Sequence, residues 1–175
     1  RTMGKTKKMT VTALIAAATA TTSSVVYIPA GFAKIFPVQH FANILSAVLL
    51  GPAYAATQAF ISSLIRNLLG TGTIFAFPGS IIGAFLAAWL YKKTKKAGWA
   101  AFGEIFGTGI LGAVACYPVA VLFLGREATL FGFVPAFILS SFAGAVSGYV
   151  LIKIMQKNKI WGGMFRENST HHRWL

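Results

Sequence analysis

Charged side chains are scarce in this chain and acids are scarcest: 11% of its 175 residues are charged, with three Asp and Glu against 16 Lys and Arg. With 56% hydrophobic residues and a mean hydropathy of +0.69, too little polar surface remains to wrap a soluble globule of this length. The formal net charge of +13 would suit nucleic acid. The basic residues, however, stand just outside apolar runs and are not interleaved with stacking aromatics, as single-strand binders require. Anionic membrane lipid is the simpler partner, and no nucleic acid is expected. A single cysteine, Cys116, excludes an intrachain disulfide and a cysteine-based metal cluster, and reads as a small core residue. There is no Gly-x4-Gly-Lys-Ser/Thr run, and the glycines of GTGT (70–73) lack the strand, lysine and helix of a phosphate loop, so the chain does not hydrolyse ATP by itself. Internal repeats, linkers and a second domain are also missing. Residues 1–159 read as one domain and 160–175 as a cytoplasmic tail.

What the chain does have is long apolar runs punctuated by Lys and Arg. Arg1, Lys5, Lys7 and Lys8 open it, Lys92, Lys93, Lys95 and Lys96 lie in its middle, and Lys153, Lys157, Lys159, Arg166 and Arg173 close it. If loops rich in Lys and Arg stay in the cytoplasm, the three blocks share one side and an even number of spans separates each from the next. Residues 9–28 are long enough to cross the hydrocarbon core. Their basic flank and Ala18-Thr19-Ala20 also resemble a secretory signal with its cleavage site, but the segment is retained and is read as span one. Residues 38–69 hold Gly51-Pro52 in the middle, and parity divides them into spans of 38–50 and 53–69, since one helix would put Lys92 to Lys96 outside. The first of these is short and is expected to tilt or to be sheltered by its neighbours. Pro78 opens span four at a first turn, where it sacrifices no hydrogen bond, and the span runs to Tyr91. Spans five (98–124) and six (129–152) follow, separated by a loop with Arg126 and Glu127. Lys34, Arg66 and Arg126 then fall on the outer side or at outer helix ends. The expected fold is an all-α membrane protein of six transmembrane helices with both termini cytoplasmic. In the tail, His171 and His172 lack carboxylate or cysteine support and make a poor metal site, so neither a metal nor a cofactor is expected.

Polar groups inside spans are costly, so each is a candidate for function. They gather toward the outer face. Gln39, His40 and Asn43 share one helix face, because positions three and four apart are neighbours. Arg66 and Asn67 end span three, and Thr71 and Thr73 follow in the glycine-rich turn. The structural alternatives are that His40 and Asn43 satisfy backbone carbonyls of a broken outer loop and that Arg66 snorkels to headgroups. Glu104 is the only acid inside an expected span and needs a proton or a partner there. It sits nearer the inner end, so a direct pair with Arg66 would demand much tilt; substrate ligand stays as open as structural hydrogen-bonder or partner-interface residue. Thr108 and Tyr117 lie farther out on the same span as hydroxyls for an outward-facing pocket, Tyr117 alternatively as an aromatic-belt residue. Phe32, Phe36, Phe41, Phe75 and Phe77 are candidate ring faces. Pro118 and Pro135 are expected to free backbone groups near outer helix ends. Ala13, Ala16, Ala17 and Ala20 give overlapping small-xxx-small spacing, which lets helices approach closely within the chain or across an interface.

No catalytic set emerges. Gly79-Ser80 with His40 superficially suggests an intramembrane serine protease, but no histidine in the later spans can act as base. A stand-alone channel or carrier is the other rival; many secondary transporters show inverted repeats, and none is visible here.

The runs FPVQH (36–40), LLGP (49–52), RNLLGTGT (66–73), FPGSIIGA (77–84) and GEIFGTGILGA (103–113) together resemble the ThiW family of substrate-binding S components of energy-coupling factor (ECF) vitamin transporters. The resemblance runs from residue 9 to 152. It implies a six-helix S-component fold in a bacterial or archaeal cell membrane, a non-enzymatic role, and capture of hydroxyethylthiazole, the thiazole precursor of thiamin, for ATP-driven uptake. It also implies partners: a transmembrane coupling protein and two ATPase subunits. In such components an AxxxA on the first helix meets the coupling protein, a spacing that Ala13 and Ala17 match. The alternative is another small vitamin or precursor in the same fold. For a small heteroaromatic alcohol, a few placed amides, hydroxyls or an imidazole in an aromatic cavity suffice. The candidate ligand set is therefore Gln39, His40, Asn43, Arg66, Asn67, Thr71, Thr73, Glu104, Thr108 and Tyr117.

Overall fold

The computed structural model describes residues 3–29, 34–125, 127 and 129–158, so the 160–175 tail, Arg126 and Phe32 lie outside the described residues. Gly51 divides the long 38–69 run as parity requires. It holds φ at 92°, a left-handed conformation open to glycine, and Pro52 starts the next helix at a position that needs no N–H donor. The helices are α1 (Lys5–Ser23), α2 (Pro37–Leu50), α3 (Pro52–Leu68), α4 (Ala76–Thr94), α5 (Ala97–Phe123) and α6 (Val134–Lys157). Two-residue strands β1 (Ile28–Pro29) and β2 (Lys34–Ile35) pair antiparallel between α1 and α2.

Two spans differ most from the sequence expectation. Span one begins and ends earlier, as α1: the hydroxyls of Thr21 and Ser24 turn back onto the carbonyls of Ala17 and Ala20, and β-branched Val25 and Val26 leave the helix toward β1. Span six begins at Val134 rather than 129. This puts Pro135 in the first turn of α6, where it frees no backbone group, contrary to the expectation of a break there. Pro118, by contrast, lies inside α5 and is followed by a π-helical stretch, Val119–Phe123.

Polarity is inverted relative to a soluble bundle. Leu14, Phe60, Phe85, Phe102, Leu122 and Ile154 are exposed, whereas Gln58, Ser62, Ser63, Asn43, Glu104 and Thr108 are buried. A chain in water places these classes the other way round. By length and composition α5 and α6 can each cross a bilayer, and α2 is a shorter apolar helix. Ten of the 14 residues of α2 are buried, because it packs against each of the other five helices. The short helix is thus the sheltered one.

The basic blocks meet at one end of the bundle. Lys8, Lys92 and Lys95 line a hollow beside the Gly51-Pro52 turn, and Lys95, Lys96 and Lys153 line a wider groove with Trp99 and Tyr149. Lys93 lies 4.5 Å from the Trp89 ring centre and Lys153 5.6 Å from that of Tyr149, as cationic and aromatic anchors do at a membrane boundary. Burial at the α4–α5 turn, with Lys92 alongside, holds the Lys95 ammonium below its ordinary pKa.

Helices α4 and α5 meet backbone to backbone. A methyl group added to Gly103, Gly107 or Gly112 would lie 2.8, 2.9 or 2.7 Å from the Cα of Ala87, Gly83 and Gly79 respectively. On α4 these partners are four apart; on α5 the last interval is five. The π-helical stretch Gly107–Gly112 absorbs the extra residue and keeps the glycines on one line. Leu111, which a strict four-residue spacing would turn inward, is exposed instead.

Candidate substrate-binding site

Opposite the basic end, a cavity of about 220 Å³ opens between the start of α2, the end of α3, the 70–75 loop, the start of α4, the middle of α5 and the first half of α6. One wall is polar, with Gln39, His40, Ser80, Thr108 and Ser140. Phe36, Phe75 and Phe137 supply ring surface, and Arg66, Thr71 and Thr73 complete the rim.

The polar wall is held from behind. Glu104, fully buried, accepts at Oε1 from Asn43 Nδ2 at 2.9 Å and Thr108 Oγ1 at 3.0 Å, and the same oxygen lies 2.8 Å from His40 Nδ1. Asn43 Nδ2 also donates to Ser80 Oγ at 2.9 Å, and Ser80 Oγ returns a bond to Asn43 Oδ1 at 3.2 Å. Gln39 Nε2 donates to Ser62 Oγ at 2.7 Å and to Ser80 Oγ at 2.9 Å. Four helices are joined by these side-chain bonds, and most of the bonds fix a group that lines the cavity: Gln39, His40, Ser80 or Thr108. The space for the carboxylate exists because position 83 is glycine: any Cβ there would run into Thr108 Oγ1 and lie 2.8 Å from Glu104 Oε2. Gln39 Oε1, Arg66 Nε and Glu104 Oε2 are buried without a hydrogen-bond partner among the described residues. Such groups are costly unless something else satisfies them.

Of the residues expected from sequence, Gln39, His40, Arg66, Thr71, Thr73 and Thr108 line this cavity. Asn43 and Glu104 stand one layer behind it. His40 and Asn43 bond the Glu104 and Ser80 side chains rather than serving only loop carbonyls, and Arg66, 4% exposed, does not snorkel. Asn67 turns away: its Nδ2 donates to Ser63 O at 2.8 Å and Thr73 O at 3.0 Å, fastening the loop after α3. Tyr117, half-buried on α5, is not among the lining residues. Among the aromatic candidates Phe36 and Phe75 line the cavity; Phe77 instead packs on Phe60 at 5.7 Å, and Phe41 faces a different hollow near α1. Ser80, Phe137 and Ser140 were not anticipated as lining residues. Paired serines 140 and 141 in an otherwise apolar span were the available signal.

A carboxylate, an imidazole and a serine are close together here, but they are not arranged as a nucleophile and its base. Ser80 Oγ donates to Asn43, His40 is engaged by Glu104, and no hydrogen bond joins His40 to Ser80 among the described residues. A mostly apolar, ligand-sized cavity with one hydrogen-bonding wall, inside a bundle with an apolar exterior, is the form of a membrane protein that binds or transports a small molecule. The chain belongs to the ThiW family, described as thiamine-precursor transporter proteins, whose family model matches residues 9–158. No curated protein and no solved structure matches it.

Proposed function

We propose that this protein is the substrate-binding S component of an ECF-type importer and that it captures hydroxyethylthiazole in the cavity of about 220 Å³ for ATP-driven uptake. The observation that carries this reading is the wall of Gln39, His40, Ser80 and Thr108, which offers donors and acceptors already oriented by the buried layer behind it. A thiazole nitrogen and a hydroxyl need few such groups, and preorganised ones cost least entropy on binding. Loss of one buried hydrogen bond costs about 1–3 kcal/mol, so His40→Ala is expected to weaken binding of the thiazole alcohol roughly 5- to 150-fold in calorimetry. Unchanged affinity would remove this cavity as the site. Mass spectrometry of the small molecule retained by the purified chain identifies the ligand directly.

The first helix supports a coupling role. Ala16 and Ala20 are buried against the bundle while Ala13 and Ala17 are exposed, which leaves a second strip of small side chains for close approach by another helix. On this reading the partners are a transmembrane coupling protein and two ATPases. Replacing Ala13 and Ala17 with leucine is then expected to abolish uptake and copurification of the coupling subunits while leaving ligand affinity intact; unaffected uptake would show that the face is wrong.

The topology that goes with this function has six spans and both termini in the cytoplasm, supported by the meeting of described residues from each of the three basic blocks at one end. A cysteine introduced at Thr94 is expected to react with impermeant maleimide only after cells are opened. Labelling of intact cells would overturn the orientation.

A further inference from the structure

Arg66 is the part of the cavity that a neutral heteroaromatic alcohol leaves unexplained. It sits in the last turn of α3, is 4% exposed and lines the cavity. A guanidinium stays charged at any physiological pH and carries five N–H donors in a rigid fork. Here that fork is nearly idle. Nη2 reaches Thr71 O at a long 3.4 Å, Cζ lies 4.9 Å from the Phe36 ring centre, and the buried Nε has no partner. No carboxylate among the described residues pairs with it: Glu104 commits Oε1 to His40, Asn43 and Thr108, and Glu127 is exposed and does not line the cavity. A buried cation without a counter-charge is costly to maintain.

A second feature points at the same place. The N-terminal turn of α4 contributes Phe75, Ala76 and Gly79 to the cavity wall. This 19-residue helix has no acidic residue in its first turn and no side-chain cap, so the positive end of its dipole is not neutralised from within the chain. Two independent sources of positive potential thus bear on one side of the cavity. The hydrogen-bonding wall of His40, Ser80 and Thr108 belongs to the same space.

We infer that the ligand of this cavity carries an anionic group, a carboxylate or a phosphate monoester, seated between Arg66 and the N-terminus of α4. This rests on the cavity being the substrate site, and it refines the proposed ligand from the free thiazole alcohol to an acidic derivative of it. The charge belongs to the small ligand rather than to a lipid, because the cavity is bounded by five helices and holds only about 220 Å³. Arginine suits such a group, since its fork matches the two oxygens of a carboxylate or phosphate and gives short, charge-assisted bonds.

The test uses the full chain in nanodiscs of zwitterionic phosphatidylcholine, with hydroxyethylthiazole, its phosphate monoester, a thiazole carboxylate and inorganic phosphate as probes. At least one anionic thiazole is expected to bind roughly tenfold or more tighter than the neutral alcohol, as a charge-assisted bidentate contact requires. Arg66→Met is expected to erase that preference, and Arg66→Lys, which keeps the charge and provides a folded control, to retain part of it. If the neutral alcohol binds as tightly as both anions, the inference is overturned and thiazole uptake stands. If no thiazole binds but inorganic phosphate raises the melting temperature in an Arg66-dependent way, the inference holds and the thiazole assignment fails. If stabilisation needs phosphatidylglycerol in the bilayer and no free anion supplies it, the charge serves lipid and the inference is overturned.

Discussion

Glu104→Ala is expected to loosen the bundle and empty the site together. Three donors converge on one carboxylate oxygen: the Asn43 amide, the Thr108 hydroxyl and the His40 ring, all buried or nearly so. Alanine leaves each of them facing a void, and each buried donor left without a partner costs about 1–3 kcal/mol. The wall of the cavity is oriented through these bonds, so ligand affinity is expected to fall with stability rather than independently of it. Glu104→Gln keeps an accepting oxygen for Asn43 and Thr108 and is expected to recover most of the melting temperature. The measurement is thermal unfolding in detergent alongside calorimetric binding. An alanine variant that melts with the wild type would show that the network contributes nothing.

Gly107→Leu is expected to be at least as damaging, for a different reason. Overpacking a well-filled core costs about 1–3 kcal/mol when side chains can shift. Here the nearest atoms are the Cα of Gly83 and the carbonyl of Ile82, which are backbone and cannot rotate away. The helices must separate, and Glu104 and Thr108 move with α5. Gly98→Ala is the control: its added methyl would meet only the edge of Tyr149 at 4.0 Å and is expected to leave expression and melting unchanged. Equal yields and equal melting for the Gly107 and Gly98 variants would refute the close-contact account.

Chain-level signals carried the sequence reading furthest. Hydropathy, the Gly51-Pro52 break and the three basic blocks located six helices because these properties are averaged over many residues and need no knowledge of neighbours. The clustering of Gln39, His40 and Asn43 was legible for a related reason, since helical periodicity alone puts them on one face. What was not legible depends on how helices are placed against each other. Glu104 was located on its own helix but not beside His40, because depth along two separate helices says nothing about their offset. Ser80 and Phe137 line the cavity only because α4 meets α5 backbone to backbone and α6 leans on α2 at Gly144. Asn67 could be placed beside the turn but not given a side-chain direction: its amide fastens the loop after α3 rather than lining this cavity.

The π-helical stretch from Gly107 to Gly112 has a consequence for chain length among relatives. Loss of one residue between those glycines would let α5 wind there as an ordinary α-helix and still present glycine to glycine along α4. Such a deletion would be structurally silent. A one-residue change between Glu104 and Gly107 would instead swing the carboxylate about 100° around the helix relative to the glycine line, since an α-helix turns once in 3.6 residues. One-residue deletions are therefore expected to be tolerated between Gly107 and Gly112 and to be ruinous between Glu104 and Gly107.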